Sequence, residues 1–247
     1  MISALEVGLK EPNLLHLPVA CGTCNLREHC LPVGLAPDEI DCLDRAIQHR
    51  RQFKRGDHLY RTGAVFRSLF AIRSGFFKTY VVQEDGREQV TGFQMMGEIM
   101  GMDAISAETH PCNALALEDS DICEIPFQRL EELGHEMPVL QHHFHKMMSR
   151  EIVRDQSVML LLGAMKAEER LATFLLNLSQ RFAARGYSRT EFVLRMTRED
   201  IGNFLGVKLE TVSRTLSQLQ QDGILSVQNK SIKINNLEAL KRAIGFH

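Results

Sequence analysis

The chain has 247 residues, enough for two units with separate cores, and 44% of it is hydrophobic, which is ordinary for a globular protein. The formal net charge is −2, so the chain as a whole is neither a polyanion nor a polycation. The longest apolar run, residues 158–165, contains Gly163 and is too short for a membrane-spanning helix; no basic segment followed by an apolar stretch marks the N-terminus, so a cytoplasmic location is expected.

Residues 1–34 read as an irregular loop, with Pro12, Pro18 and Pro32 and the spacing C-x2-C-x5-C at Cys21, Cys24 and Cys30. In a reducing compartment such thiols are ligands or free groups rather than disulfides. Three thiolates on one loop can converge on an inorganic centre, and Cys42, Cys112 and Cys123 compete to be the fourth ligand. Four thiolates suit a tetrahedral zinc as well as an iron–sulfur cluster, and spacing does not separate them.

Residues 35–135 form the second region. Short β-rich runs (58–61, 69–73, 76–82, 88–94, 114–117, 122–126) alternate with glycines at 56, 63, 75, 86, 92, 97 and 101, which predicts an antiparallel roll or barrel with a candidate sensor pocket inside. Residues 136–166 follow as a long helix, from about Pro138 to Met165. Met148, Ile152, Asp155, Met159 and Leu162 occupy its heptad seam, the pattern of a coiled-coil dimer with a charge placed in the contact. Two facing Asp155 carboxylates would repel and leave the dimer near balance. His142, His143 and His145 do not all share a helical face, and no metal or catalytic role is assigned to them. No nucleophile motif or phosphate-cradling glycine loop is visible, so the chain reads as a non-enzyme.

Residues 167–247 carry the most specific motif, TREDIGNFLGVKLETVSRTL at 197–216. Thr197 and Asp200 begin a helix, Gly206 breaks it, and a second helix starts near Lys208 with Leu209, Val212, Leu216 and Leu219 inward. Glu210, Thr211, Ser213, Arg214 and Ser217 turn outward, a face able to donate to guanine through Arg and accept from cytosine through Glu. Strand, turn and strand at 224–234 complete a winged helix-turn-helix that binds double-stranded DNA. Charge supports this: residues 181–247 hold eleven Lys/Arg against six Asp/Glu, a balance of +5, and leave −7 on the remainder.

These segments together resemble the oxygen-sensing FNR (fumarate and nitrate reduction) regulators of the CRP/FNR family. CGTCNLREHC is similar to that family's N-terminal cluster motif, LFAIRSGFFKTY to its roll, CEIPF (123–127) to the segment with its fourth cysteine, and MLLLGAMKAEERLATF to its dimer helix and hinge. The fold implied is α+β: an N-terminal antiparallel β-roll of the cyclic-nucleotide-binding kind, a dimerisation helix and a C-terminal winged helix-turn-helix. The resemblance also implies a [4Fe-4S] cluster on Cys21, Cys24, Cys30 and Cys123 that stabilises a homodimer without oxygen, and control of anaerobic metabolism genes. It further implies that Glu210, Ser213 and Arg214, with Lys208 and Thr211 beside them, read TTGAT-type half-sites, and that the loop 83–87 touches RNA polymerase. Two alternatives remain: a structural zinc on the same thiols, and a CRP-like ligand sensor. Gly97-Glu98-Ile99-Met100-Gly101 resembles the start of a cyclic-nucleotide cassette, but Pro111-Cys112-Asn113-Ala114 offers no cation for a phosphate, so no cyclic nucleotide is expected.

Overall fold

A computed structural model describes residues 20–47 and 49–244; the readings placed on residues 1–19, including Pro12 and Pro18, lie outside them. Helix α1 (Pro37–Ala46) is followed by β1 (His49–Phe53), β2 (His58–Tyr60), β3 (Ser68–Ser74), β4 (Phe76–Val82), β5 (Glu88–Met95), β6 (Ile99–Met100), β7 (Asn113–Ala116) and β8 (Ser120–Pro126). These strands make two antiparallel four-stranded sheets, ordered β1-β8-β3-β6 and β2-β7-β4-β5, which face each other as a roll. Alternation along the strands separates two apolar layers. Phe70 and Ile72 of β3 and Ile122 of β8 point between the sheets, where they meet Phe53, Tyr60 and Phe77. Leu69 and Ala71 of β3, with Cys123 and Ile125 of β8, point the other way, toward Leu31, Leu43, Leu130 and Leu140. The second layer is covered by α1, α2 (Phe127–Glu136) and the start of α3 (Pro138–Ala164).

Pro138 begins α3, where its missing N–H costs nothing. The helix runs 27 residues and is nowhere wrapped: Leu140 and His143 are buried at one end and Leu161 at the other. Between them Ile152, Val153, Met159 and Leu160 are left largely exposed. Among the described residues no helix is long and apolar enough to cross a membrane.

After Met165 and Lys166 the chain reverses into α4 (Ala167–Ala184), then β9 (Glu191–Val193), α5 (Arg198–Leu205), α6 (Leu209–Gln221), β10 (Leu225–Gln228), β11 (Ser231–Ile234) and α7 (Leu237–Arg242). This unit has its own core, including Leu175, Ile201, Leu216 and Ile232, and that core is continuous with Phe76, Phe93 and Met95 on the outer face of β4 and β5. Phe93 of β5, Phe174 of α4 and Phe204 of α5 form a triangle with centroid separations of 5.3–5.8 Å.

Beside this triangle lies Glu98. Its carboxylate receives Arg181 of α4 at 2.6 Å and Arg185, which caps the C-terminus of α4, at 2.8 Å, and Arg154 of α3 stands at 3.7 Å. Burial opposes ionisation of Glu98, but the three guanidiniums prevail and hold its pKa at about 2 instead of 4.5. A carboxylate depressed in this way stabilises the fold above pH 4.5 and loses that contribution as pH falls toward 2, because the unfolded chain then binds the extra proton; the full contribution is about 3 kcal/mol. Comparison of urea unfolding for the natural chain and Glu98→Gln across pH 2–7 checks this: the gap in stability should be widest above pH 5 and close toward pH 2.

Candidate nucleic-acid interface

Helix α5 starts with a reciprocal cap, in which Thr197 Oγ1 accepts from the Asp200 N–H at 3.0 Å and Asp200 Oδ2 accepts from the Thr197 N–H at 2.8 Å. It ends at Gly206, whose φ of +63° is a left-handed conformation that glycine adopts at least cost. Gly202 allows the next helix to come close: a Cβ there would stand 2.7 Å from the Val207 carbonyl oxygen. The turn therefore delivers α6 with Lys208 as its N-cap and Glu210, Thr211, Ser213 and Arg214 on its first two turns.

Val212, Thr215, Leu216 and Leu219 are the buried side of α6. Leu209, expected inward, is instead 45% exposed, because it begins the helix before α5 can cover it. Glu210, Arg214 and Ser217 are exposed, and Ser213 and Thr211 are half-buried. Arg198 of α5 donates to Ser213 Oγ at 3.1 Å, a contact that the sequence pattern gave no reason to look for. The wing is a three-stranded sheet, β10-β11-β9; β9 was not read from the sequence because three residues, Glu191-Phe192-Val193, are too short a run to show a period. Asn229 turns the β10–β11 hairpin with φ +57°, a conformation that Asn tolerates.

Three ionic contacts tie this unit to the roll, and the most exposed of them is Arg195 with Glu118 at 3.1 Å. Lys78 of β4 reaches Asp200 at 2.8 Å and Glu88 at 3.1 Å. Burial lowers the lysine's pKa, yet the two carboxylates hold it above its ordinary value; Asp200 is depressed against its own burial by Lys78 and Thr197. The third contact is Glu98 with Arg181 and Arg185. On α3, Ile152, Asp155 and Met159 are exposed, Met148 is half-buried, and Leu162 packs against the C-terminal core.

The cysteine reading is corrected by the structure. Cys21, Cys24, Cys30 and Cys123 do line one apolar cavity, but its volume is about 40 Å³, room for no more than a few waters. Among the described residues no group of three or more His, Cys, Asp or Glu is placed to hold a metal ion. The [4Fe-4S] cluster implied by the resemblance, the oxygen switch built on it and the structural zinc all require such a donor set, and the residues do not fit one. Three of these thiols are also favoured in the protonated form. Burial, with Asp44 adding to it, pushes Cys21 far above the usual thiol range; burial raises Cys30 to about 12 and also raises Cys123, which Arg50 partly offsets. They share the lining of this cavity with Leu26, Leu31 and Leu43. His143 of α3 is buried and donates through Nε2 to the Cys30 carbonyl oxygen at 3.1 Å. Cys42 is half-buried.

Comparison with known proteins places this arrangement. Residues 169–243 match a Crp-like helix-turn-helix domain and residues 50–136 a cyclic nucleotide-binding domain. The chain is 48% identical to the anaerobic regulatory protein of Pasteurella multocida over 90% of this chain and 81% of that one. It belongs to the CRP/FNR family of transcription regulators. It is also 46% identical to the fumarate and nitrate reduction regulatory protein of Escherichia coli strain K12, over 92% of this chain and 91% of that one. Among solved structures FixK2 from Bradyrhizobium japonicum is similar, with a TM-score of 0.73, 29% identity, and coverage of 78% of this chain and 96% of that one. The family's members are DNA-binding regulators rather than enzymes, and α5, the turn and α6 of this chain are its helix-turn-helix.

Gly202→Ala should unfold the turn rather than adjust it, since the nearest obstacle is backbone. A loss of about 2 kcal/mol or more is expected for such a clash, read as a lower melting temperature of the C-terminal unit together with loss of DNA binding.

Proposed function

We propose that this regulator works as a homodimer that reads an inverted repeat in double-stranded DNA, each copy inserting α6 into a major groove. The observation that carries the reading is the exposed pair Glu210 and Arg214 on the first turns of α6, on a segment with a charge balance of +5. Arg214 donates to guanine O6 and N7, Glu210 accepts from cytosine N4, and Ser213, Thr211 and Lys208 serve phosphates or base edges.

The dimer contact is the stripe on α3 that includes Met148, Ile152, Asp155 and Met159, with Leu162 at its end. A run of exposed large apolar residues on one helix is costly in water and needs a cover; a second α3 supplies it. Asp155 opposes the pairing. Burial and Asp103 already raise its pKa, with Arg154 partly offsetting them, and a second Asp155 across the seam would raise it further.

The loop 83–87 is the surface we assign to RNA polymerase, with Arg87 folded back onto Asp85 at 2.6 Å and Glu84 left as its free charge. The roll is not read as a cyclic-nucleotide site. Its cavity beside α3, about 300 Å³, is lined by Asp103, Glu151 and Asp155 and by a single cation, Arg154, which is already committed to Glu151 and the Phe93 carbonyl. A phosphate would meet three carboxylates there.

Selection from a random duplex library should yield a two-fold symmetric motif. Arg214→Ala should relax the preference at one G·C pair per half-site, at a cost of about 1–3 kcal/mol; a symmetric motif unchanged by the substitution would count against α6 as the reader. Sedimentation of Asp155→Ala should show tighter self-association than the natural chain, and the natural chain should associate more strongly as pH is lowered through the carboxylate range.

A further inference from the structure

The joint between α3 and α4 is two residues, Met165 and Lys166, so the covalent chain alone does not fix how the reading unit stands against the dimer helix. Contacts must. Glu98 of the roll binds both far-end arginines of α4 and lies within 3.7 Å of Arg154 on α3, so one carboxylate joins roll, dimer helix and reading unit. Lys78 of the roll grips Asp200, a member of the cap that starts α5, and both side chains are about one-tenth exposed. Gln89 adds a hydrogen bond to the Asn203 carbonyl. The docked unit still shows its DNA-facing groups: Thr197, Arg198 and Glu199 at the start of α5, and Glu210 and Arg214 on α6, are exposed. Docking and reading are therefore compatible.

We infer that Glu98 and Lys78, which lie on the roll and away from the exposed face of α6, are positioning residues for DNA recognition: they set the orientation of α6 relative to α3 and thereby the half-site spacing that the dimer accepts. The inference rests on the two-fold reading proposed above. Two reading helices must meet grooves one turn, about 34–36 Å, apart. An unanchored joint would have to be immobilised by the DNA itself, at a cost in affinity, and would accept several spacings. Ion pairs suit the task because their geometry is directional and each buried partner is strongly disfavoured when left alone. Without the Glu98 charge, Arg181 and Arg185 lose their carboxylate partner and Arg154 keeps only Glu151.

The test measures affinity for duplexes that carry the selected half-sites at a series of central spacings, using full-length chain and three variants. The natural chain should show a sharp optimum. Glu98→Gln and Lys78→Gln should bind about ten-fold more weakly at that optimum and flatten the profile, whereas Lys78→Arg, which keeps the charge, should restore it. Trypsin cleavage after the exposed Lys166 should quicken in the two Gln variants. Melting curves check that each variant folds; should Glu98→Gln not fold, Lys78→Gln decides, because the Thr197–Asp200 cap survives in it. A profile as sharp as that of the natural chain, or tighter binding at every spacing, overturns the positioning role. A flat profile in the natural chain itself overturns the two-fold reading and the positioning role with it.

Discussion

The architecture hangs on one largely enclosed carboxylate. Glu98 sits on the turn between β5 and β6, and three arginines from two helices converge on it. Those segments bring three positive charges to this place and, besides Glu98, only Glu151 of α3 stands near to oppose them, at 3.3 Å from Arg154. Opposite charges with satisfied geometry can be held in a dry interface, but removing one partner leaves the rest strongly disfavoured. The Phe93–Phe174–Phe204 triangle next to it supplies non-directional burial, and the ions supply orientation. Packing alone would let the unit slide; ions alone would let it swell.

Most of the fold is legible in the sequence because its signals are local. Thr197, Asp200, Gly206 and the apolar spacing of α6 each act within a few residues, and the glycine-punctuated strands of the roll do the same. Short elements without a period, such as β6 and β9, leave no such trace. Leu162 shows the limit of the heptad reading: it follows the seam in register but is drawn into the C-terminal core because α4 folds back over it. Glu98 is visible in the sequence only as part of Gly97-Glu98, since its partners at 154, 181 and 185 lie far along the chain and nothing local announces them.

The cysteines teach a different lesson. Spacing puts Cys21, Cys24 and Cys30 on one loop and leaves Cys42, Cys112 and Cys123 open as the fourth; only the family resemblance singles out Cys123, and those four thiols do line one cavity. Proximity to a cavity is not coordination. Ligation needs donors within bonding distance of one point and deprotonated, while here burial among leucines favours the neutral thiol.

One contact gives the N-terminal turn more reach than its size suggests. Gly97, immediately before Glu98, has His29 so close that an added Cβ would stand 3.0 Å from the His29 Cβ, with Arg185 Nε 3.5 Å away. Cys30, next along, is held by His143 at the start of α3. The 27–30 turn touches the hub at Gly97 and elsewhere faces it across a cavity of about 530 Å³ lined by Glu28, His29, Glu98, Arg154, Arg181 and Arg185. A side chain at position 97 would have to displace that turn, so the cysteine loop and the charge hub share a boundary in space although they lie far apart in sequence.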